Sequence, residues 1–239
     1  MNTLIATIEK LQKEGFSVIN SVYSEAEITE IIDCITKASA DVRSDENAKH
    51  VFAIRQLMKK IPELKSLLFT EKFHELLKNV FEEDCFLTKA IYFDKPSESN
   101  WFVAYHQDLS ISVDRKQDVS NYTNWTFKKG QYGVQPPLDI LENIVTVRVH
   151  LDKTEKENGA LKVIPKSHLK GIYRPETIDW TTETEHVCEV EKGGVMLMKP
   201  LTLHASNRTT NHKQRRVLHL EFSTKQLAKP LEWQEYCAL

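Results

Sequence analysis

Two stretches of strict alternation constrain the fold most. Over residues 144–151, Val145, Val147, Val149 and Leu151 alternate with Thr146, Arg148 and His150. Over residues 215–223, Leu218, Leu220 and Phe222 alternate with Arg215, Val217, His219 and Glu221. A period of two marks a β-strand with unlike faces. In an ordinary half-buried sheet the charged face would meet water. In a barrel covered outside by helices, the apolar face meets the helices and the polar face lines a wet interior. The first third of the chain favours the barrel, because it supplies amphipathic helices. Leu4, Ile8 and Leu11 recur at helical spacing before Gly15. Ile28, Ile31, Ile32 and Ile35 follow a capping box at Ser24–Glu27. Phe73, Leu76, Leu77 and Val80 line a helix that starts near Thr70, with His74 outside it.

The remaining segments read mostly as strands. Gly15–Ile19 and Val51–Arg55 are short strands, separated by the second helix and a polar loop over 41–50 that carries His50. Pro62 suits the first turn of a helix. Phe86–Phe93 is a strand, 95–100 a turn, and 101–113 a single long strand. Residues 161–164 form another strand, and 186–191 with 195–198 form a hairpin turned at Lys192–Gly194. Residues 114–143 are a long connection carrying Tyr122, Trp125, Phe127 and Tyr132, either a lid over a site or a loop packed outside the barrel. The expected organisation is one domain over 1–239, with helical support in 1–83, a β core in 84–223 containing the 114–143 insertion, and a tail over 224–239. The fold class is mainly β with a helical buttress.

A net charge of -2 with 28% charged residues speaks against nucleic acid or a membrane surface as partner. No apolar run reaches membrane-spanning length, and Met1–Lys10 lacks the build of a signal peptide. Cys34, Cys85, Cys188 and Cys237 lie far apart, which argues against a thiolate zinc site or a disulfide framework. A cytoplasmic protein with a small-molecule partner is the expectation. Nothing in the chain speaks to oligomeric state.

The chemistry gathers around His106-Gln107-Asp108. Two residues apart on a strand, His106 and Asp108 project together and leave Trp101 and Tyr105 on the opposite face. An imidazole and a carboxylate side by side are two thirds of the triad that holds non-haem Fe(II). His204, after the turn and strand of 193–203, offers a third ligand, although a lone histidine at a strand end is more often structural. Arg215 follows on the next strand, and its guanidinium suits bidentate binding of a carboxylate.

This ordered set resembles the phytanoyl-CoA dioxygenase family of Fe(II)/2-oxoglutarate oxygenases. Asn158-Gly159-Ala160-Leu161…Pro165-Lys166-Ser167-His168 is similar to that family's Asn-Gly…Pro-Gly-Ser-His segment, with Lys166 in place of glycine. Phe93–Pro96, Val134–Pro137 and Arg148–Asp152 look closer still to a bacterial branch. The resemblance implies a double-stranded β-helix, a cupin-like jelly roll with the N-terminal helices on one sheet. It implies Fe(II) held by His106, Asp108 and His204, with 2-oxoglutarate and O2 as cosubstrates. Arg215 would grip the distal carboxylate of 2-oxoglutarate and Ser206 would assist, with Ile91 and Thr146 as further cosubstrate-side positions. Arg148 stands where the family often has Trp, and would meet 2-oxoglutarate, an anionic substrate group, or Glu221 across the barrel. Arg55, Gln135, His150, His219, Glu221 and Trp125 are the candidate substrate residues, whereas His168 is structural. The carboxylate of Asp108 favours hydroxylation over halogenation, which in this superfamily goes with a small residue there. The alternative is a jelly-roll binding or sensor protein without turnover. A zinc hydrolase would leave Arg215 without a task.

Overall fold

The computed structural model describes residues 2–43, 53–95 and 102–239. His50, Val51, Phe52 and Trp101, with most of the loops expected at 41–50 and 95–100, lie outside the described residues. One sheet runs in the order β1 (Phe16–Ile19), β11 (Val195–Met198), β8 (Val145–His150), β13 (Arg215–Ser223), β3 (Phe86–Lys95) and β14 (Cys237–Ala238), with β2 (Ala53–Arg55) also on β3. A second sheet runs β10 (His186–Cys188), β9 (Leu161–Val163), β12 (His204–Ser206) and β4 (Val103–His106). This is the expected jelly roll with a helical buttress.

The helices are α1 (Asn2–Glu14), α2 (Glu25–Arg43), α3 (Leu57–Lys60), α4 (Leu64–Leu68), α5 (Glu71–Phe81) and, later in the chain, α6 (Leu138–Asn143). The expected cap of α2 is present: the Ser24 N–H donates to Glu27 Oε2 at 2.7 Å, and the Glu27 N–H to Ser24 Oγ at 3.3 Å. Leu11, Ile28, Ile31, Phe73 and Leu77 from α1, α2 and α5 share one core with Val147, Val149, Leu218, Leu220 and Phe222. Phe222 meets Phe73 with ring centroids 5.9 Å apart. Each such buried side chain contributes about 1.5–3 kcal/mol, so the apolar face of β8 and β13 needs the helices over it. That leaves Arg148, His150, Arg215, His219 and Glu221 facing inward. The interior is not wet throughout: Phe16, Met196, Met198, Leu161, Val163 and Cys188 form an apolar cluster.

Several local expectations are corrected. Residues 101–113 are not one strand. β4 ends at His106, and β5 (Ile111–Val113) joins a third sheet with β7 (Gln131–Gln135) and β6 (Thr123–Lys128). The chain leaves the sheet there because the Asp108 N–H donates to Pro200 O at 2.9 Å. The 114–143 insertion is a folded subsheet with α6, and its core of Val113, Tyr122, Val134, Ile140 and Leu141 also takes Leu231 and Trp233 from the tail. The tail is therefore docked: β14 pairs with β3, and the buried Glu235 carboxylate accepts from the N–H groups of Met58 (3.3 Å) and Ala90 (2.8 Å). The expected 186–198 hairpin does not form, since β10 and β11 lie in different sheets. The His150 backbone holds that crossing, its C=O accepting from the Gly193 N–H (2.8 Å) and its N–H donating to Gly194 O (3.0 Å). Pro62 precedes α4 instead of opening it, and Lys95 belongs to β3 and not to a turn. No helix among the described residues is long and apolar enough to cross a membrane.

Candidate active site

β12 pairs antiparallel with β4, with His204 directly opposite His106. That register sets the imidazoles side by side, ring centroids 4.2 Å apart. Asp108, just past β4, completes the group: Oδ1 lies 3.7 Å from His106 Nε2, and Oδ2 lies 3.7 Å from His204 Nε2. Asp108 is held by its neighbour as well as by its own N–H. The buried Gln107 amide donates to Gly171 O (2.8 Å) and Leu201 O (2.6 Å) and accepts from the Tyr173 N–H (2.8 Å).

The hydrogen bonds assign the tautomers. His106 Nδ1 is 2.9 Å from Ala104 O, and His204 Nδ1 is 2.9 Å from Thr202 O. A carbonyl only accepts, so each Nδ1 carries the proton and each Nε2 presents a lone pair. Burial is the main force lowering the His204 pKa to about 4, so the ring is neutral. Burial alone would raise the Asp108 pKa, but His204, His219, Lys89 and His106 outweigh it and bring the carboxyl to about 2. Two lone pairs and a carboxylate thus converge, and a cation is the group that satisfies all three. Two imidazole nitrogens and one carboxylate oxygen are the donor set of a facial Fe(II) site.

Beside these residues is a cavity of about 230 Å³ whose walls include Phe93, Lys95, Arg148, Ser206, Arg215 and His219. Arg215 opens β13 and is buried, and its Nε has no partner among the described residues. Burial, then repulsion from Arg148, pushes its pKa down to about 9. Arg148 is likewise buried with an unpartnered Nε, and burial lowers it to about 10. Its Nη1 donates to His219 Nδ1 at 2.9 Å. A guanidinium only donates, so His219 Nε2 carries the ring proton and donates to Glu221 Oε1 at 3.0 Å. Lys89 Nζ donates to the same oxygen at 2.8 Å. Of the three partners left open for Arg148, Glu221 is reached only indirectly, through His219.

The other candidates divide. Ser206 lines the cavity and donates to Gly159 O at 3.0 Å. Thr146 is buried opposite Glu221, with its hydroxyl unpartnered among the described residues, but is not a cavity wall. Ile91 pairs with His219 on one side and Arg55 on the other, so all three share a face. Neither Ile91 nor Arg55 reaches the cavity wall, although Arg55 Nη1 is buried and unpartnered among the described residues. His150 Nδ1 bonds to Thr154 Oγ1 at 2.7 Å, behind the cavity wall. Burial, with Arg148 and Arg215, holds its pKa well below the ordinary imidazole range. Gln135 and Trp125 are not brought to the site: Gln135 accepts from Asn124 at 2.7 Å, and Trp125 packs on the core of the third sheet. His168 bonds to Gln12 O at 3.0 Å and is structural, as expected.

Lys95 and Gln107 were not among the expected site residues. Lys95 was legible in the alternation Lys89, Ile91, Phe93, Lys95 had β3 been extended to its end. The structure also explains the Asn-Gly…Ser-His segment. Gly159 has φ +85, and Lys166, at the usual glycine position, has φ +65. Ser167 Oγ donates to Ile164 O (2.6 Å) and accepts from the Leu203 N–H (2.8 Å), fixing the approach to His204.

The family model described as phytanoyl-CoA dioxygenase (PhyH) matches residues 11–217. The chain belongs to the phytanoyl-CoA dioxygenase family. It is an oxygenase that depends on iron(II) and 2-oxoglutarate and uses O2. A phytanoyl-CoA dioxygenase domain-containing protein 1 homolog of Caenorhabditis elegans is 23% identical over 250 residues, 87% of this chain and 86% of the relative. Among solved structures, EctD from S. alaskensis with 2-oxoglutarate and 5-hydroxyectoine superposes with a TM-score of 0.70 at 15% identity, over 94% of this chain and 78% of that one. The 2-oxoglutarate-dependent epimerase SnoN gives 0.68 at 13% identity, over 92% and 82%. These likenesses carry the fold alone.

Proposed function

We propose that this oxygenase hydroxylates a small, anionic organic molecule, with His106, Asp108 and His204 holding the iron and Arg215 the distal carboxylate of 2-oxoglutarate. The observation that carries the reading is the convergence of two Nε2 lone pairs and the Asp108 carboxylate beside a buried guanidinium with an unpartnered Nε. When bound, iron with 2-oxoglutarate and O2 supplies an oxidant able to convert C–H to C–OH, with succinate and CO2 released.

The protein's own residues prepare that chemistry. The Ala104 and Thr202 carbonyls hold both imidazoles in the ligating tautomer. Gln107 keeps the segment bearing Asp108 tied to the segment leading to His204. Arg215, helped by Ser206, orients the cosubstrate from the far end of the cavity. The Arg148–His219–Glu221–Lys89 relay fixes a second guanidinium at the wall, and this supports an anionic group on the substrate. Arg55 is a further cation on the same face of the sheet. The side chain at 108 is a carboxylate, which supports hydroxylation over halogenation. The chain works as one domain over 1–239, and its four free cysteines suit a cytoplasmic setting.

The test is a panel of small carboxylates and phosphates screened for substrate-dependent succinate release, with products weighed by mass spectrometry. The expected product has gained one oxygen atom. A product that has lost two hydrogens, or has kept its mass, would overturn the hydroxylase assignment.

A further inference from the structure

We infer that Lys95 binds the distal carboxylate of 2-oxoglutarate together with Arg215, as a second cation of the cosubstrate pocket. The inference rests on the iron and 2-oxoglutarate reading above. Lys95 and Arg215 are direct partners across β3 and β13, so their side chains leave the sheet on the same side. Both line the cavity that holds His106, Asp108 and His204. Lys95 is only 1% exposed, so its ammonium is an internal group of the barrel. Like charges opposite one another on a sheet repel, and burial sharpens the repulsion. A carboxylate lying between them turns that repulsion into two attractions. Burial and Arg215 together hold the Lys95 pKa down to about 8, a shift that a bound anion opposes.

The wall is built around this ammonium. Lys95 Nζ donates to Asn207 O at 2.8 Å, next to Ser206. Gly159 closes the same corner with φ +85, where a Cβ would stand 3.0 Å from Lys95 Nζ and 2.8 Å from Asn207 O. The Asn-Gly signature therefore leaves room for the lysine as well as for the turn. The division of labour follows from shape. The planar fork of Arg215 meets carboxylate oxygens edge-on, while an ammonium is a compact point charge that can approach from another direction. The pocket so made selects a 2-oxo diacid over a 2-oxo monoacid.

Calorimetry on the iron-loaded enzyme without O2 tests this, with 2-oxoglutarate and 2-oxobutyrate as probes. Lys95→Met is expected to raise the Kd for 2-oxoglutarate about 10- to 100-fold, the loss of one charge-assisted hydrogen bond, and to leave 2-oxobutyrate within about twofold. Lys95→Gln keeps a donor for Asn207 without the charge and is expected to show the same selective loss, which covers a misfolded Met variant. Equal 2-oxoglutarate affinity in wild type and both variants overturns the role of Lys95. A parallel loss for both probes would mark a structural role and also overturn it. If wild type itself binds no 2-oxoglutarate, the underlying cosubstrate reading fails, and the role of Lys95 with it.

Discussion

Gln107→Leu is a sharp test of how the proposed metal ligands are held. The substitution keeps the approximate volume of a buried side chain and removes its whole amide. Three hydrogen bonds disappear, to Gly171 O at 2.8 Å, to Leu201 O at 2.6 Å and from the Tyr173 N–H at 2.8 Å. At about 1 kcal/mol net each, the loss is about 3 kcal/mol. For a chain of this size that lowers Tm by about 6–12 °C. The cost also falls on the site, because Gln107 stands between His106 and Asp108 and ties both to the segment before His204. Fe(II) affinity should fall about tenfold, the size of effect that groups orienting metal ligands from outside commonly have. Differential scanning calorimetry of the metal-free protein reads the first effect, and anaerobic Fe(II) titration reads the second. A Tm within about 2 °C of wild type, with unchanged Fe(II) affinity, would refute the reasoning.

Other consequences follow from single residues. His150 is buried between Arg148 and Arg215 with Nε2 unpartnered among the described residues, so the fold keeps it neutral. Below the ordinary value of 6.5 the unfolded chain takes up a proton that the folded chain refuses. His150 thus adds about 1.4 kcal/mol of lost stability per pH unit as pH falls below that point, and chemical denaturation of His150→Gln should show a shallower acid slope, an unchanged slope counting against it. Glu235→Ala strips two buried N–H groups, those of Met58 and Ala90, of their acceptor. It should cost about 3 kcal/mol in urea denaturation, whereas a loose tail would make it neutral. Lys166→Gly relieves a left-handed residue and should add about 0.5–1 kcal/mol of stability in the same assay, a loss of stability showing that the lysine side chain contributes there.

Much of the fold was legible because its signals are local. Phe73, Leu76, Leu77 and Val80 sit where helical spacing puts them, and the inward polar faces of β8 and β13 follow from alternation once helices cover the other face. What was hidden depends on partners distant in sequence. The break after His106 comes from Pro200 and Leu201 holding the backbone of Asp108 and the amide of Gln107, and no pattern within 101–113 announces it. The split of 186–198 between two sheets is fixed by the backbone of His150, far up the chain. The meeting of His106, Asp108 and His204 was readable because the resemblance implied it, whereas the pairing of β4 with β12 that brings it about was not. Lys95 was hidden by a polar stretch that reads as a turn, and the Arg148–His219–Glu221 relay by hydrogen-bond roles that alternation does not encode.

The most direct measurement is an anaerobic titration of the protein with Fe(II) and then 2-oxoglutarate, followed in the visible. Wild type should develop a weak charge-transfer band that saturates with one iron per chain, and His204→Ala should lack it. No band in the intact protein, or an equal band in the variant, would contradict the assignment of His106, Asp108 and His204 as the iron site.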